Sequence, residues 1–374
     1  MSVYLDYNAT SPIRPDARAA ALAALEIGAN PSSTHATGRA ARAVIERARA
    51  DVAEIAGAQP AAVTFVSGGA EANALAMESA KAAGFDRIIV GATEHETVWA
   101  TAHVLAAGPE IWPVDGRGVA DLDWLEDALG RDGRALVCLM AANNETGVLQ
   151  PVSEAAKLVR NAGGWLHVDA VQAAGKVPLG EIARAANTLS LSGHKIGGPQ
   201  GVGVLISDES TTIARRLHGG GQERGHRAGT ENVSGIAGFG AAAQAALHEL
   251  GSAGTSSSLR DSLAARLEKA GATVMGKGAP RLPQTLCVAT PGFSSEAQVM
   301  ALDLAGVMIS AGAACSSGKV KASRVVEAMG RPDLASSSIR ISGGWATSEA
   351  DWRRCGDAWT EAHERRAARR KELA

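Results

Sequence analysis

The feature that most constrains this chain is a recurring one: a short apolar run that ends in polar or glycine residues. Residues 62–67 run into Gly68-Gly69-Ala70-Glu71-Ala72-Asn73, and 87–90 lead to Ala92-Thr93-Glu94-His95-Glu96-Thr97. Residues 136–140 lead to Ala142-Asn143-Asn144-Glu145-Thr146-Gly147, and 165–168 to Asp169-Ala170-Val171-Gln172. Short apolar runs bounded in this way read as buried strands, and the helical patterns between them supply crossover connections. The pattern predicts an α/β fold with a mostly parallel sheet covered by helices. In such a sheet the carboxyl ends of the strands, where the polar residues fall, are where ligands bind.

One of these strand ends carries a lysine. Residues 188–192 alternate, with Leu189 and Leu191 on one face, and deliver Ser192-Gly193-His194-Lys195 into a turn rich in glycine and proline. On this stretch alone, a surface lysine and a Schiff-base lysine that holds an aldehyde cofactor are equally good readings. The strand that opens directly into Gly68-Gly69 and a helix is similarly two-sided. It is a tight turn in an α/β protein, or a helix N-terminus whose free N–H groups suit a phosphate.

The 374 residues suffice for two domains, and residues 251–258, small and polar, are the expected boundary. Residues 16–254 are predicted to form a large domain, and residues 1–15 with 255–374 a smaller α+β domain. Expected helices cover residues 16 to about 26, a stretch ending near 56 and capped by Ser33 or Thr34, one ending near 83, one ending near 250, and 259–270. Further strands are expected at 202–206, 286–289, 307–309 and 338–342, with a charged helix at the C-terminus.

Net charge is −2 with 20% charged residues, which gives no electrostatic case for nucleic acid or an anionic membrane as a partner. The longest stretch free of Asp, Glu, Lys and Arg, 232–248, is short for a membrane span and contains Asn, Ser and Gln. No apolar signal core is seen at the start, so the expected location is the cytoplasm. The four cysteines, Cys138, Cys287, Cys315 and Cys355, have no zinc or iron–sulfur ligand spacing. Cys138 lies within a predicted strand and reads as a buried structural thiol, whereas Cys315 lies among Ala, Gly and Ser.

Taken together and in order, Asn143-Asn144-Glu145-Thr146-Gly147, His167-Val168-Asp169-Ala170-Val171-Gln172, Ser192-Gly193-His194-Lys195 and Arg227-Ala228-Gly229-Thr230 resemble the cysteine desulfurases. These are fold-type-I pyridoxal phosphate enzymes of the class V aminotransferase group, and the resemblance covers nearly the whole chain. It implies that Lys195 forms the Schiff base, that Asp169 faces the pyridine nitrogen, and that His95 stacks on the ring and moves protons. It implies further that Asn144 and Gln172 contact the phenolic oxygen, and that Gly69, Ala70, Ser192 and His194 form the phosphate cup. By the same resemblance Thr230 reaches the phosphate of a second subunit, and Arg340, with Asn144, binds the substrate. Cys315 is implied as the nucleophile, on a long mobile loop of one subgroup.

The implied reaction takes sulfur from L-cysteine, leaving L-alanine and a Cys315 persulfide for an acceptor such as an iron–sulfur scaffold. The implied assembly is a homodimer, without intrinsic metal but with Cys315 as a transient cluster ligand. A selenocysteine lyase or an aminotransferase on the same scaffold are the alternatives. Two departures from the family pattern stand out: Ala70 replaces a threonine of the phosphate loop, and Ala29 replaces a glycine.

Overall fold

The computed structural model describes residues 2–208, 210–312 and 322–372, the side chains at 252, 253 and 369–372 excepted. The chain opens with β1 (Val3–Tyr4), α1 (Pro15–Ile27) and α2 (Ala36–Ala56). Alternation follows: β2 (Val63–Val66), α3 (Gly69–Ala82), β3 (Arg87–Gly91), α4 (Glu96–Leu105), β4 (Glu110–Trp112) and α5 (Leu122–Leu129). It continues through β5 (Ala135–Met140), α6 (Val152–Asn161), β6 (Trp165–Asp169), α7 (Gly180–Ala185), β7 (Thr188–Ser192) and β8 (Gly203–Ser207).

These strands form one sheet in the order β2-β8-β7-β6-β5-β3-β4. Strands β4, β3, β5, β6 and β7 are parallel, whereas β8 runs antiparallel to both β7 and β2. The expected mostly parallel, mixed sheet is therefore present. Every residue of β5, β6 and β7 is buried, as a sheet covered on both faces requires. The parallel strands end together, so the C-terminal ends of β5, β6 and β7 bring Met140, Asp169 and Ser192 to one edge.

Two long helices, α8 (Val233–Glu249) and α9 (Ala253–Lys269), lead to the remaining strands. These are β9 (Thr273–Val274), β10 (Thr285–Ala289), β11 (Val307–Met308), β12 (Ser310–Ala311) and β13 (Ser338–Ser342), with α10 (Ser295–Leu304), α11 (Arg324–Ala328) and α12 (Glu349–Glu372). An antiparallel sheet in the order β12-β13-β10-β9 forms here, and the N-terminal β1 pairs with β11. A core separate from that of the large sheet gathers Val3 and Leu5 with Val288, Ile341 and Trp359. The N-terminal segment thus leaves this second core at Leu5 and crosses to the edge of the large sheet.

Several local expectations are corrected. The cap of α2 is His35, whose Nδ1 accepts from the Gly38 N–H at 3.2 Å, and not Ser33 or Thr34. The small polar run at 251–258 is helical from Ala253, because the Ser257 and Ser258 hydroxyls donate back to Gly254 O and so satisfy themselves within the helix. Strands β4, β9 and β12 were not expected; each is two or three residues long and is defined by its neighbours. Among the described residues no helix is long and apolar enough to cross a membrane.

Candidate active site

At the shared strand ends lies a cavity of about 510 Å³. After β7 the chain makes a 3₁₀ turn, Gly193–Lys195, that aims the lysine into it. Gly197 closes this turn at φ +87°, a left-handed conformation that favours glycine, and the Arg14 Cγ lies 2.6 Å from where a Cβ would sit. Lys195 Nζ donates to the carbonyls of Asn8 (2.7 Å) and Ala9 (2.8 Å) on the N-terminal segment. His194, beside it, shares a hydrogen bond with Thr10 Oγ1 (3.0 Å), and burial with the Lys195 charge pushes its proton affinity down to about 4.

Asp169 ends β6 and is 6% exposed. Its Oδ1 accepts from the Val171 N–H (3.0 Å) and its Oδ2 from Asn73 Nδ2 (2.8 Å). Gln172, just beyond, is held from both ends of its amide: Nε2 donates to Asn8 O at 2.9 Å, and Oε1 accepts from Lys176 Nζ at 2.7 Å. His95 caps α4, its Nδ1 accepting from the Thr97 N–H at 3.2 Å. Burial lowers its proton affinity, against the opposing charge of Asp169.

Arg340 enters from β13, 4% exposed, with Nη2 on Asp6 Oδ1 (2.6 Å) and Nη1 on Asn144 O (3.3 Å). Its Nε has no hydrogen-bond partner among the described residues. The start of α3 also lines the cavity, where Gly69 and Ala70 present N–H groups that the helix cannot use itself. A Cβ on Gly69 would lie 2.9 Å from Val171 Cγ2, so glycine alone lets the helix start come this close to the Asp169 turn.

Gly69, Ala70, His95, Asn144, Asp169, Gln172, Ser192, His194, Lys195 and Arg340 therefore line one cavity. Thr230 does not; it is exposed, in a separate cleft of about 210 Å³ that shares Ser67 and Gly201 with the first. Cys315 lies outside the described residues. In the loop before Thr230, Arg227 pairs with Glu71 (3.0 Å) and Arg224 donates to Val63 O, and neither lines the cavity. The cavity also holds Asn8, Thr10 and Asn73, whose parts in it depend on contacts between distant segments and left no signal in the local sequence.

The model of the aminotransferase class-V family matches residues 3–354. A cysteine desulfurase of Cereibacter sphaeroides is 44% identical, with 92% of each chain covered. Cysteine desulfurase IscS of Dictyoglomus turgidum is 38% identical over 93% of this chain and 91% of its own. The X-ray structure of a NifS-like protein from Rickettsia africae superposes with a TM-score of 0.89 at 32% identity, covering 97% of this chain and all of that one. The chain belongs to the cysteine desulfurases of the aminotransferase class-V family.

Members of this family are pyridoxal-phosphate-dependent enzymes of fold type I, and the resemblance seen in the motifs is in this respect confirmed. The donor set of the cavity fits such a group. A helix start offers N–H groups suited to a dianion, and the same cavity is lined by a carboxylate, an amine and a buried guanidinium whose Nε has no partner among the described residues. The three described cysteines are all fully buried, and burial raises their proton affinities, that of Cys355 to about 12. They are packing thiols, poorly disposed to ionise.

Proposed function

We propose that this cavity is where the chain holds pyridoxal 5′-phosphate and L-cysteine, and that the sulfur leaves as a persulfide on Cys315. The observation that carries this reading is the meeting of Lys195, Asp169 and Arg340, from three distant segments, around one cavity. Lys195 would attach the cofactor and Asp169 would face its ring nitrogen. Asn144 and Gln172 would meet its phenolic oxygen, and the N–H groups of Gly69 and Ala70, with Ser192 and His194, its phosphate. The hydroxyl missing at Ala70 leaves those backbone donors in place, and Ser67 lines the same cavity. Once bound, the cofactor supplies an electron sink for the carbanion formed at the substrate Cα.

The remaining roles belong to the chain itself. Arg340 pairs with the substrate carboxylate, and its planar fork suits that geometry. Lys195 takes the Cα proton. His95, neutral and tied through Nδ1 to the start of α4, keeps its proton on Nε2 and offers it on that side. The Cys315 thiolate, assigned on its sequence position alone, attacks the substrate sulfur. The S–S bond forms as the Cβ–S bond breaks, and the electron pair stays with the carbon skeleton, which gains protons to become alanine. L-cysteine and a thiol become L-alanine and a persulfide without an external oxidant. The active form is read as a cytoplasmic homodimer, with an acceptor protein such as an iron–sulfur scaffold taking the sulfur and Cys315 as a transient cluster ligand.

Borohydride reduction followed by peptide mapping tests the cavity assignment. The label is expected on Lys195; Lys176, the other amine near Gln172, is the residue whose labelling would overturn it. Lys195→Ala should retain cofactor without a covalent bond and lose turnover by several orders of magnitude. Alkylation of the enzyme after L-cysteine treatment should locate the extra sulfur on Cys315. Extra sulfur on Cys138, Cys287 or Cys355 would contradict the assigned nucleophile.

A further inference from the structure

The strand period places a ladder of polar side chains beneath Asp169. Residues 165, 167 and 169 of β6 project to one face, and β7 sets Thr188 opposite His167 and Ser190 opposite Asp169. Trp165 Nε1 donates to Thr188 Oγ1 (3.2 Å), and Thr188 Oγ1 meets His167 Nδ1 (3.0 Å). His167 Nε2 lies 3.0 Å from Asn73 Oδ1, which also accepts from Ser190 Oγ at 2.5 Å. The Asn73 Nδ2 group then serves two acceptors, Asp169 Oδ2 at 2.8 Å and Thr97 Oγ1 at 3.0 Å. Thr97 Oγ1 is 2.9 Å from His95 Nδ1.

Chemistry fixes the direction of every link. A carboxylate only accepts, so the nitrogen of Asn73 faces Asp169 and its oxygen faces His167 and Ser190. A carbonyl oxygen only accepts, so His167 carries its proton on Nε2 and takes the Thr188 hydroxyl proton at Nδ1. Burial holds the ring neutral down to about pH 4, so it adds no charge beside Asp169. The second N–H of Asn73 turns the Thr97 hydroxyl to donate to His95 Nδ1, where the Thr97 N–H also points. All donors run from the sheet interior toward the cavity.

We propose that Asn73 is the positioning residue that orients both Asp169 and His95, its amide being fixed in turn by His167 and Ser190. This rests on the reading that Asp169 and His95 face the cofactor ring. One amide sets two groups: it fills one carboxylate oxygen so that the anion is held in place, and it turns the Thr97 hydroxyl onto His95 Nδ1, beside the Thr97 N–H that keeps the His95 proton on Nε2. His167, Ser190 and Thr188 do not line the cavity, whereas Asn73 does, so they act through Asn73.

Two measurements test it. In the apoprotein, ¹⁵N-histidine NMR should show both His167 and His95 as the neutral Nε2–H tautomer at pH 7, with His167 uncharged at pH 5. In Asn73→Leu the His95 Nδ1 resonance should shift as the Thr97 hydroxyl bond loosens, while the Thr97 N–H keeps the proton on Nε2. A His167 proton on Nδ1, or a His95 Nδ1 resonance unmoved in Asn73→Leu, overturns the proposal.

In the pyridoxal-phosphate-loaded enzyme, the pH midpoint of the visible absorbance should move by about one unit in Asn73→Leu and His167→Phe, a tenfold change in proton affinity. His167→Gln, which can donate to Asn73 and accept from Thr188, should restore the original midpoint. Variants that lose thermal stability but keep that midpoint, while Asp169→Asn moves it, show a packing role only and refute the proposal. An Asp169→Asn spectrum identical to the unsubstituted one overturns the cavity reading instead, and the apoprotein result then judges the hydrogen-bond chain by itself.

Discussion

Glu94, next to His95 in sequence, is enclosed on all sides. Its Oε1 accepts from the Met140 N–H, and its Oε2 has no partner among the described residues. Burial, reinforced by the Asp169 charge, raises its proton affinity to about 8. An unfolded glutamate titrates near ~4.3, so between these values the folded chain holds a proton that the unfolded chain has lost. Stability from this group is therefore complete below about pH 4.3 and declines as pH rises through 8, by up to about 1.4 kcal/mol per pH unit. Glu94→Gln, which mimics the protonated acid, should melt like the parent at pH 4 and at increasingly higher temperature toward pH 9. Thermal melts across that range check it, and a gain independent of pH would contradict the raised affinity.

Arg340 is predicted to behave differently, because Asp6 and Asn144 hold the guanidinium by its two terminal nitrogens and leave Nε without a partner among the described residues. Arg340→Lys keeps the charge but loses the fork. KM for L-cysteine should rise by roughly tenfold to a hundredfold, the equivalent of about 1.5–3 kcal/mol for a charged hydrogen bond. Cofactor affinity should change little, and parallel titrations of substrate and pyridoxal phosphate separate the two.

Among the elements, α8 shows how small residues shape the scaffold. A Cβ on Gly240 would lie 2.7 Å from Ala48 Cα in α2, and one on Gly238 would lie 2.6 Å from Pro199 Cγ. Gly240→Ala would gain about 1 kcal/mol of helix propensity, yet overpacking against a neighbouring backbone costs about 1–3 kcal/mol. The variant should be less stable in urea. Gly254→Ala in α9, where a Cβ meets nothing within 4 Å, should be slightly more stable. Gly240→Ala proving the more stable of the two would mean that α8 can move away from α2 at little cost.

At this scale the sequence was legible where the signal is local. Strand β7 coincides with the expected residues 188–192 because its leucines alternate, and Lys195 and Asp169 sit at strand ends inside contiguous motifs. What was not legible depends on partners. Histidine is not a favoured cap, so His35 gave no sign of one, and the serines of α9 read as a link until their hydroxyls were seen to bond within the helix. Asn73 and His167 meet only because β6, β7 and α3 bring them together. No spacing along the chain encodes that contact.

On the scale of the whole molecule, the place of Thr230 is a test of how a complete site is built. Its cleft shares Ser67 and Gly201 with the main cavity of its own chain, yet Thr230 itself is exposed and outside that cavity. The motif resemblance assigns it to the phosphate of a second copy. In that arrangement Thr230→Ala and Lys195→Ala chains are each inactive or impaired alone, but a mixed dimer holds one site with both residues intact. Random exchange of equal amounts makes half of the dimers mixed, so recovery should approach about a quarter of the unsubstituted activity. Subunit exchange must be verified separately, with differently tagged chains and native mass spectrometry. Recovery of that size places Thr230 across the interface. Proven exchange without recovery would place it in the site of its own chain, reached past Ser67 and Gly201, and each chain would then carry a complete cavity.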